Sequence, residues 1–117
     1  MAYTKKARTF ARKAGPRQAL MKSLARSLVL EERISTTEAK AKSLRPFVER
    51  LVTYAKTNTL ASRRLTKSRL GDDEAVKKLF ESIGPRYSER AGGYTRVIKR
   101  TVRGSNDARK LAYIAFV

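Results

Sequence analysis

The sequence predicts an α+β fold: about four helices packed on a small mixed sheet of about three strands, with a basic N-terminal arm. Three observations carry this. Apolar residues recur at helical spacing in successive segments from Pro16 to Ile83. Clusters of Gly, Pro and Asp punctuate those segments. Two later stretches, Tyr94–Arg100 and Leu111–Val117, read as strands. At 117 residues the chain suits a single modest core, with 1–14 as the arm and 15–117 as one domain.

The arm holds Lys5, Lys6, Arg8, Arg12 and Lys13 with Tyr3 and Phe10 between them, and it has no consistent apolar face. Such a segment is expected to order only on binding. Gly15-Pro16 follows, and Pro suits the first turn of a helix. From Pro16 to about Leu30, the residues Leu20, Met21, Leu24, Ala25 and Leu28 share an arc, with Lys22 and Arg26 on the other side.

Arg33-Ile34-Ser35-Thr36 reads as a short strand or extended link. Ser35 and Glu38 fit a capping box for a helix running to about Lys56. Its apolar face is Ala41, Leu44, Val48, Leu51, Val52 and Ala55, and Glu38/Lys42 and Arg45/Glu49 pair at i,i+4. Pro46 is expected to kink that helix or split it after Arg45. Asn58 to Leu70 forms a weaker helix that ends at Gly71. Asp72-Asp73-Glu74 supplies an N-cap and favourable charge for the next helix, a reading that outweighs a metal site lacking further ligands. Its apolar face is Ala75, Val76, Leu79, Phe80 and Ile83, and Gly84-Pro85 is expected to end it.

A basic aromatic loop, Arg86 to Gly93, then leads into the strand Tyr94–Arg100. Period-two alternation places Tyr94, Arg96 and Ile98 on one side and Thr95, Val97 and Lys99 on the other. Gly92 and Gly93 can adopt φ > 0 and admit close backbone approach. After the turn cluster Gly104–Asp107, Leu111–Val117 is apolar on both faces. That suits a covered interior strand, paired with the preceding one as a hairpin and tying down Val117.

The charge is extreme. The chain has 28 Lys and Arg against 10 Asp and Glu, a formal net charge of +18. Self-repulsion on that scale makes a polyanion the natural partner. Arg outnumbers Lys, which favours phosphate, because the guanidinium fork matches phosphate oxygens and stacks on bases. The excess lies toward both ends, and residues 1–30 contain no acid. With no Cys and no His, the chain has no disulfide, thiol nucleophile, zinc-finger ligand set or His-containing triad. It also lacks a Walker loop, a nucleophile elbow, a membrane-length apolar run and a signal-peptide core. The expectation is a soluble intracellular protein that is no enzyme and takes no cofactor or small-molecule substrate.

Three stretches in order carry a family resemblance: Glu32–Lys42 followed by Leu44-Arg45-Pro46; Ala75–Phe80; and Pro85-Arg86-Tyr87 leading to Gly92–Arg96. Together they resemble the bacterial ribosomal large-subunit protein L17 family, from about Pro16 onward. The chain departs from the usual family pattern in lacking His near the N-terminus and in ending Ala115-Phe116-Val117 without an acid. The resemblance implies a non-catalytic structural role on large-subunit (23S-type) rRNA. It also implies neighbouring ribosomal proteins near the outer end of the peptide exit tunnel, on a cytoplasmic or an organellar ribosome.

The expected RNA contacts are then Lys5, Lys6, Arg8, Arg12 and Lys13 in the arm, and Arg17, Lys22 and Arg26 on the first helix. Arg63, Arg64 and Lys67 form a second group. The third is Arg86, Tyr87, Arg90, Gly92, Gly93, Tyr94, Arg96, Lys99, Arg100 and Arg103. Cations would hold phosphates, and Tyr87 or Tyr94 would stack on a base or sugar, although aromatic residues on strands more often serve packing. The competing reading is a basic DNA-binding or architectural protein with a helix pair around Leu60–Ile83. Against it, the basic excess does not concentrate on one recognition helix. A cationic membrane-surface helix also fits the charge, but Pro16–Leu30 carries an ordinary core-facing arc and no Trp.

Overall fold

The computed structural model describes residues 14–100 and 110–117. In chain order its elements are α1 (Ala14–Glu31), β1 (Arg33–Thr37), α2 (Glu38–Thr57), α3 (Leu60–Leu70) and α4 (Asp73–Lys78). A π-helical turn (Leu79–Ile83), α5 (Gly84–Arg86), β2 (Thr95–Lys99) and β3 (Leu111–Phe116) complete it. Of the expected arm only Ala14 is described, at the start of α1; the rest of it, Arg103 and the expected turn Gly104–Asp107 lie outside the described residues.

α2 organises the molecule. It packs on all three strands, on α1 and α3, and on the helical segment that ends at Arg86. Its six expected apolar residues, Ala41, Leu44, Val48, Leu51, Val52 and Ala55, are all buried. Each large one stabilises the core by roughly 1.5–3 kcal/mol through removal from water. The expected apolar face from Ala75 to Ile83 is likewise buried throughout. On α1, Ala25 and Leu28 are buried together with Val29, whereas Leu20, Met21 and Leu24 are half-buried.

β3 lies between β1 and β2 and is antiparallel to both, so the sheet is antiparallel throughout and not mixed. The register sets Arg33 and Arg96 on either side of Ala115, and Ser35 and Ile98 on either side of Tyr113. The inner face sends Thr95, Ala112, Ile114 and Phe116 into the core against α2. Thr95 Oγ1 donates to Glu49 Oε2 at 3.0 Å, which ties β2 to α2. β3 is central, as expected, but the described residues cover only one of its faces. Tyr113 and Leu111 on the other face are half-buried.

Several boundaries differ from the sequence expectations for local reasons. Ser35 belongs to β1, and Thr37 caps α2 in its place, its hydroxyl accepting from the Lys40 amide at 3.3 Å. A reciprocal capping box does occur one helix later, between Thr59 and Ser62. Pro46 does not split α2, which continues through it. Pro46 is exposed, and it offers no amide to the Lys42 carbonyl one turn before it. Asp72 occupies the N-cap position of α4 but makes no side-chain cap bond.

Gly84-Pro85 does not end the helix. The chain passes from α4 through the π turn into α5. Gly84 is helical (φ −54°), and a Cβ there would lie 3.1 Å from the Ala55 Cβ. Gly84 therefore serves close helix packing and not chain reversal.

Candidate nucleic-acid interface

The side of the sheet that no described element covers is the best-defined basic surface. Arg33, Arg96, Ile98, Lys99, Arg100, Tyr113 and Ala115 line a shallow groove of about 410 Å³. The Arg33 guanidinium carbon sits 4.0 Å from the Tyr113 ring centroid, and that of Arg100 sits 5.2 Å away. Arg100 Nη1 also donates to Ser35 Oγ at 3.3 Å. Arg96 is exposed and has no ion pair or side-chain hydrogen bond among the described residues. Lys99 approaches Glu38 at 3.6 Å. Glu38 hydrogen-bonds Lys42 at 2.8 Å, and that bond holds its carboxyl below the usual range. Arg33 and Tyr113 were not singled out by the sequence. The signal for Tyr113 is the parity of β3: alternate residues must leave the core face, and Tyr113 is the aromatic one that does.

Tyr87 and Tyr94 are core residues and not exposed stacking platforms. They are 5% and 3% exposed, and their ring centroids lie 5.4 Å apart. The Tyr87 hydroxyl donates to the Val117 carbonyl, while Tyr94 accepts from Lys56 Nζ at 2.9 Å and donates to the Arg90 carbonyl. Tyr94 precedes β2, so it does not share the outward face of Arg96 and Ile98. Val117 is held as expected, its amide donating to the Tyr94 carbonyl.

The glycines between these tyrosines serve the turn. Gly92 and Gly93 have φ of 143° and 63°, values that side chains with a Cβ rarely tolerate. No neighbouring atom crowds Gly92. Arg90 stiffens this loop, its Nε donating to the Gly92 carbonyl at 3.0 Å.

Not every expected cation is free. Arg86 pairs with Glu32, which also lies 3.3 Å from Lys78. The Arg86 hydrogen bond, more than Lys78, holds the Glu32 carboxyl below the usual range, against the opposing effect of burial. Glu32 in turn makes Arg86 harder to deprotonate. Lys67 pairs with Asp73. Arg63 lies over the Phe80 ring at 4.9 Å and bonds Asn58. Arg64, Lys22 and Arg26 are exposed and form no ion pair among the described residues. Lys22 runs beside Gly71 at the C-terminus of α3, where a cation suits the helix dipole. Arg17, on the first turns of α1, is half-buried and already engaged in an interaction.

Among the described residues, no cluster of acidic side chains could hold a metal ion. None of the described helices is long and apolar enough to cross a membrane. The fold and surface define a class: an α+β scaffold that turns guanidinium groups outward from rigid elements. Comparison with known proteins makes this specific. The family model described as Ribosomal protein L17 matches residues 20–117. A protein of Hydrogenobaculum sp. (strain Y04AAS1), named large ribosomal subunit protein bL17, is 53% identical over 117 residues, covering 100% of this chain and 99% of that protein. The protein of that name from Fusobacterium nucleatum is 47% identical, with 100% of both chains covered. That of Erythrobacter litoralis is 47% identical over 94% of this chain and 78% of its own length. The chain belongs to the ribosomal protein L17 family. These relatives are named as ribosomal proteins and not as enzymes.

Proposed function

We propose that this protein is a structural constituent of the large ribosomal subunit that binds and stabilises folded 23S-type rRNA through Arg and Lys contacts to phosphates. The observation that carries the reading is the full-length match to proteins named for the large ribosomal subunit. The net charge of +18 supplies the physics, since each phosphate neutralised releases counterions to solution. Contacts are assigned to the basic residues of 1–13, to Arg17, Lys22, Arg26, Arg63 and Arg64 on the helices, and to Arg90, Arg96, Lys99, Arg100 and Arg103. Arg86 and Lys67 contribute field more than direct contact, because each already holds a carboxylate. The site of work is the cytoplasmic ribosome, beside other large-subunit proteins near the outer end of the exit tunnel.

Two measurements test this. In sedimentation, the protein should travel with large subunits and resist a high-salt wash. In filter binding, it should prefer transcribed large-subunit rRNA to duplex DNA over a range of salt. Equal affinity and equal salt slope for both nucleic acids would assign it instead to non-specific DNA binding. Arg96→Ala should lower the slope of log affinity against log salt by about one while circular dichroism stays unchanged.

A further inference from the structure

We infer that Arg33, Arg100 and Tyr113 form a preorganised clamp for the sugar–phosphate backbone of RNA, with Arg96 and Lys99 at its rim. The clamp rests on the RNA-binding reading above and gives it a defined contact site. Arg33 opens β1 and Arg100 directly follows β2, its amide still bonded to the Leu111 carbonyl, and the two converge on one ring, at 4.0 and 5.2 Å from its centroid. A guanidinium that stacks on an aromatic ring keeps its N–H donors at the edges, so stacking fixes its direction without spending its hydrogen bonds. Ser35 takes one donor of Arg100. Among the described residues the remaining donors have no hydrogen-bond partner, and phosphate oxygens accept from such forks in bidentate fashion.

The surroundings select the occupant. Among the described residues lining the groove are four cations and no carboxylate. That excludes a basic partner and favours a polyanion. The floor is apolar, with Ile98 44% exposed beside Ala115, and it suits the carbon face of a ribose. A base stacked on Tyr113 is the weaker fit, since Arg33 already stands over the ring. Because both guanidiniums are already held against the Tyr113 ring, and Arg100 also by Ser35, little side-chain freedom is lost on binding.

The test uses the full chain and transcribed large-subunit rRNA at several salt concentrations. Arg33→Gln and Arg100→Gln should each reduce the salt slope by about one. Tyr113→Leu keeps every charge, so it should weaken binding about fivefold with little change in slope, while Tyr113→Phe should match the wild type. Arg50→Gln, an exposed cation on α2 that does not line the groove, is the control. A photo-crosslinking residue in place of Ile98 should, in assembled subunits, attach to RNA.

If Arg33→Gln and Arg100→Gln change the slope no more than Arg50→Gln does, the clamp is overturned while the wider RNA reading stands. A crosslink to protein alone would give the face to a neighbouring polypeptide and overturn it equally. A wild-type chain with no preference for rRNA over duplex DNA would sink both readings.

Discussion

Glu32 closes α1 with φ of 64°, a left-handed position that glycine fills in many helices. A residue with a Cβ sits there at some backbone cost, and its neighbours show what offsets it. Its amide donates to the Leu28 carbonyl, its carbonyl accepts from the Phe116 amide, and its carboxylate holds Arg86 and Lys78. The carboxyl is held below its ordinary range in the folded state. Its contribution is therefore complete above the unfolded-state value and is lost as pH falls through the folded-state value. Glu32→Gln should lower the melting temperature at neutral pH, and the gap to wild type should narrow as the pH falls below the ordinary Glu value. A gap that stays constant across that range would assign the loss to packing. Tyr87→Phe removes the bond to the Val117 carbonyl and should cost about 0.5–1.5 kcal/mol by urea unfolding. Side by side in the sequence, Tyr87, Tyr94 and Tyr113 are equivalent aromatic residues near cations. What separates them is the face each occupies, and only the paired sheet and the Gly92-Gly93 turn decide that.

At the scale of elements, periodicity was the reliable guide and punctuation a mixed one: Gly71 caps α3 as expected, whereas Gly84-Pro85 does not end its helix. The buried face of α2 was legible residue by residue, because six apolar positions at helical spacing permit one orientation. Gly84-Pro85 misled because glycine has two uses, chain reversal and close approach, and the second depends on Ala55 in another helix. Gly84→Ala would press a methyl group onto the Ala55 backbone at 3.2 Å. It should destabilise the fold by about 1–3 kcal/mol in chemical denaturation. Ala55→Gly should rescue it only in part, since the Ala55 backbone atoms remain in the way. Pro46 gives the opposite expectation. Pro46→Ala restores an amide to the middle of α2 and should raise the melting temperature. A fall would show that the proline ring contributes packing that its exposure conceals.

For the whole molecule, charge and fold pull against each other. At +18, cations repel throughout the folded state, so added salt should raise the melting temperature of the free protein while lowering its affinity for RNA. Parallel salt series of thermal melts and filter binding check the opposed signs. The α+β class was legible because helical and strand periods succeed each other cleanly along the chain. The antiparallel β2–β3 pair was legible as a hairpin, but the place of β1 on the other side of β3, which completes the order β1-β3-β2, was not, since it depends on pairing between residues far apart in sequence. That order also governs when the surface comes into being. β1 and β2 do not pair with each other, and each is joined to the sheet only through β3. During synthesis, the residues of α1 to α5 are all made before β3, and their contacts with α2 need no sheet. A nascent chain stopped short of Leu111 would thus be able to gather its helices, yet its two waiting strands would flank a gap. Closing that gap is a long-range step, slow by its loop entropy. Until Tyr113 arrives to draw Arg33 and Arg100 together, the arginine face does not exist.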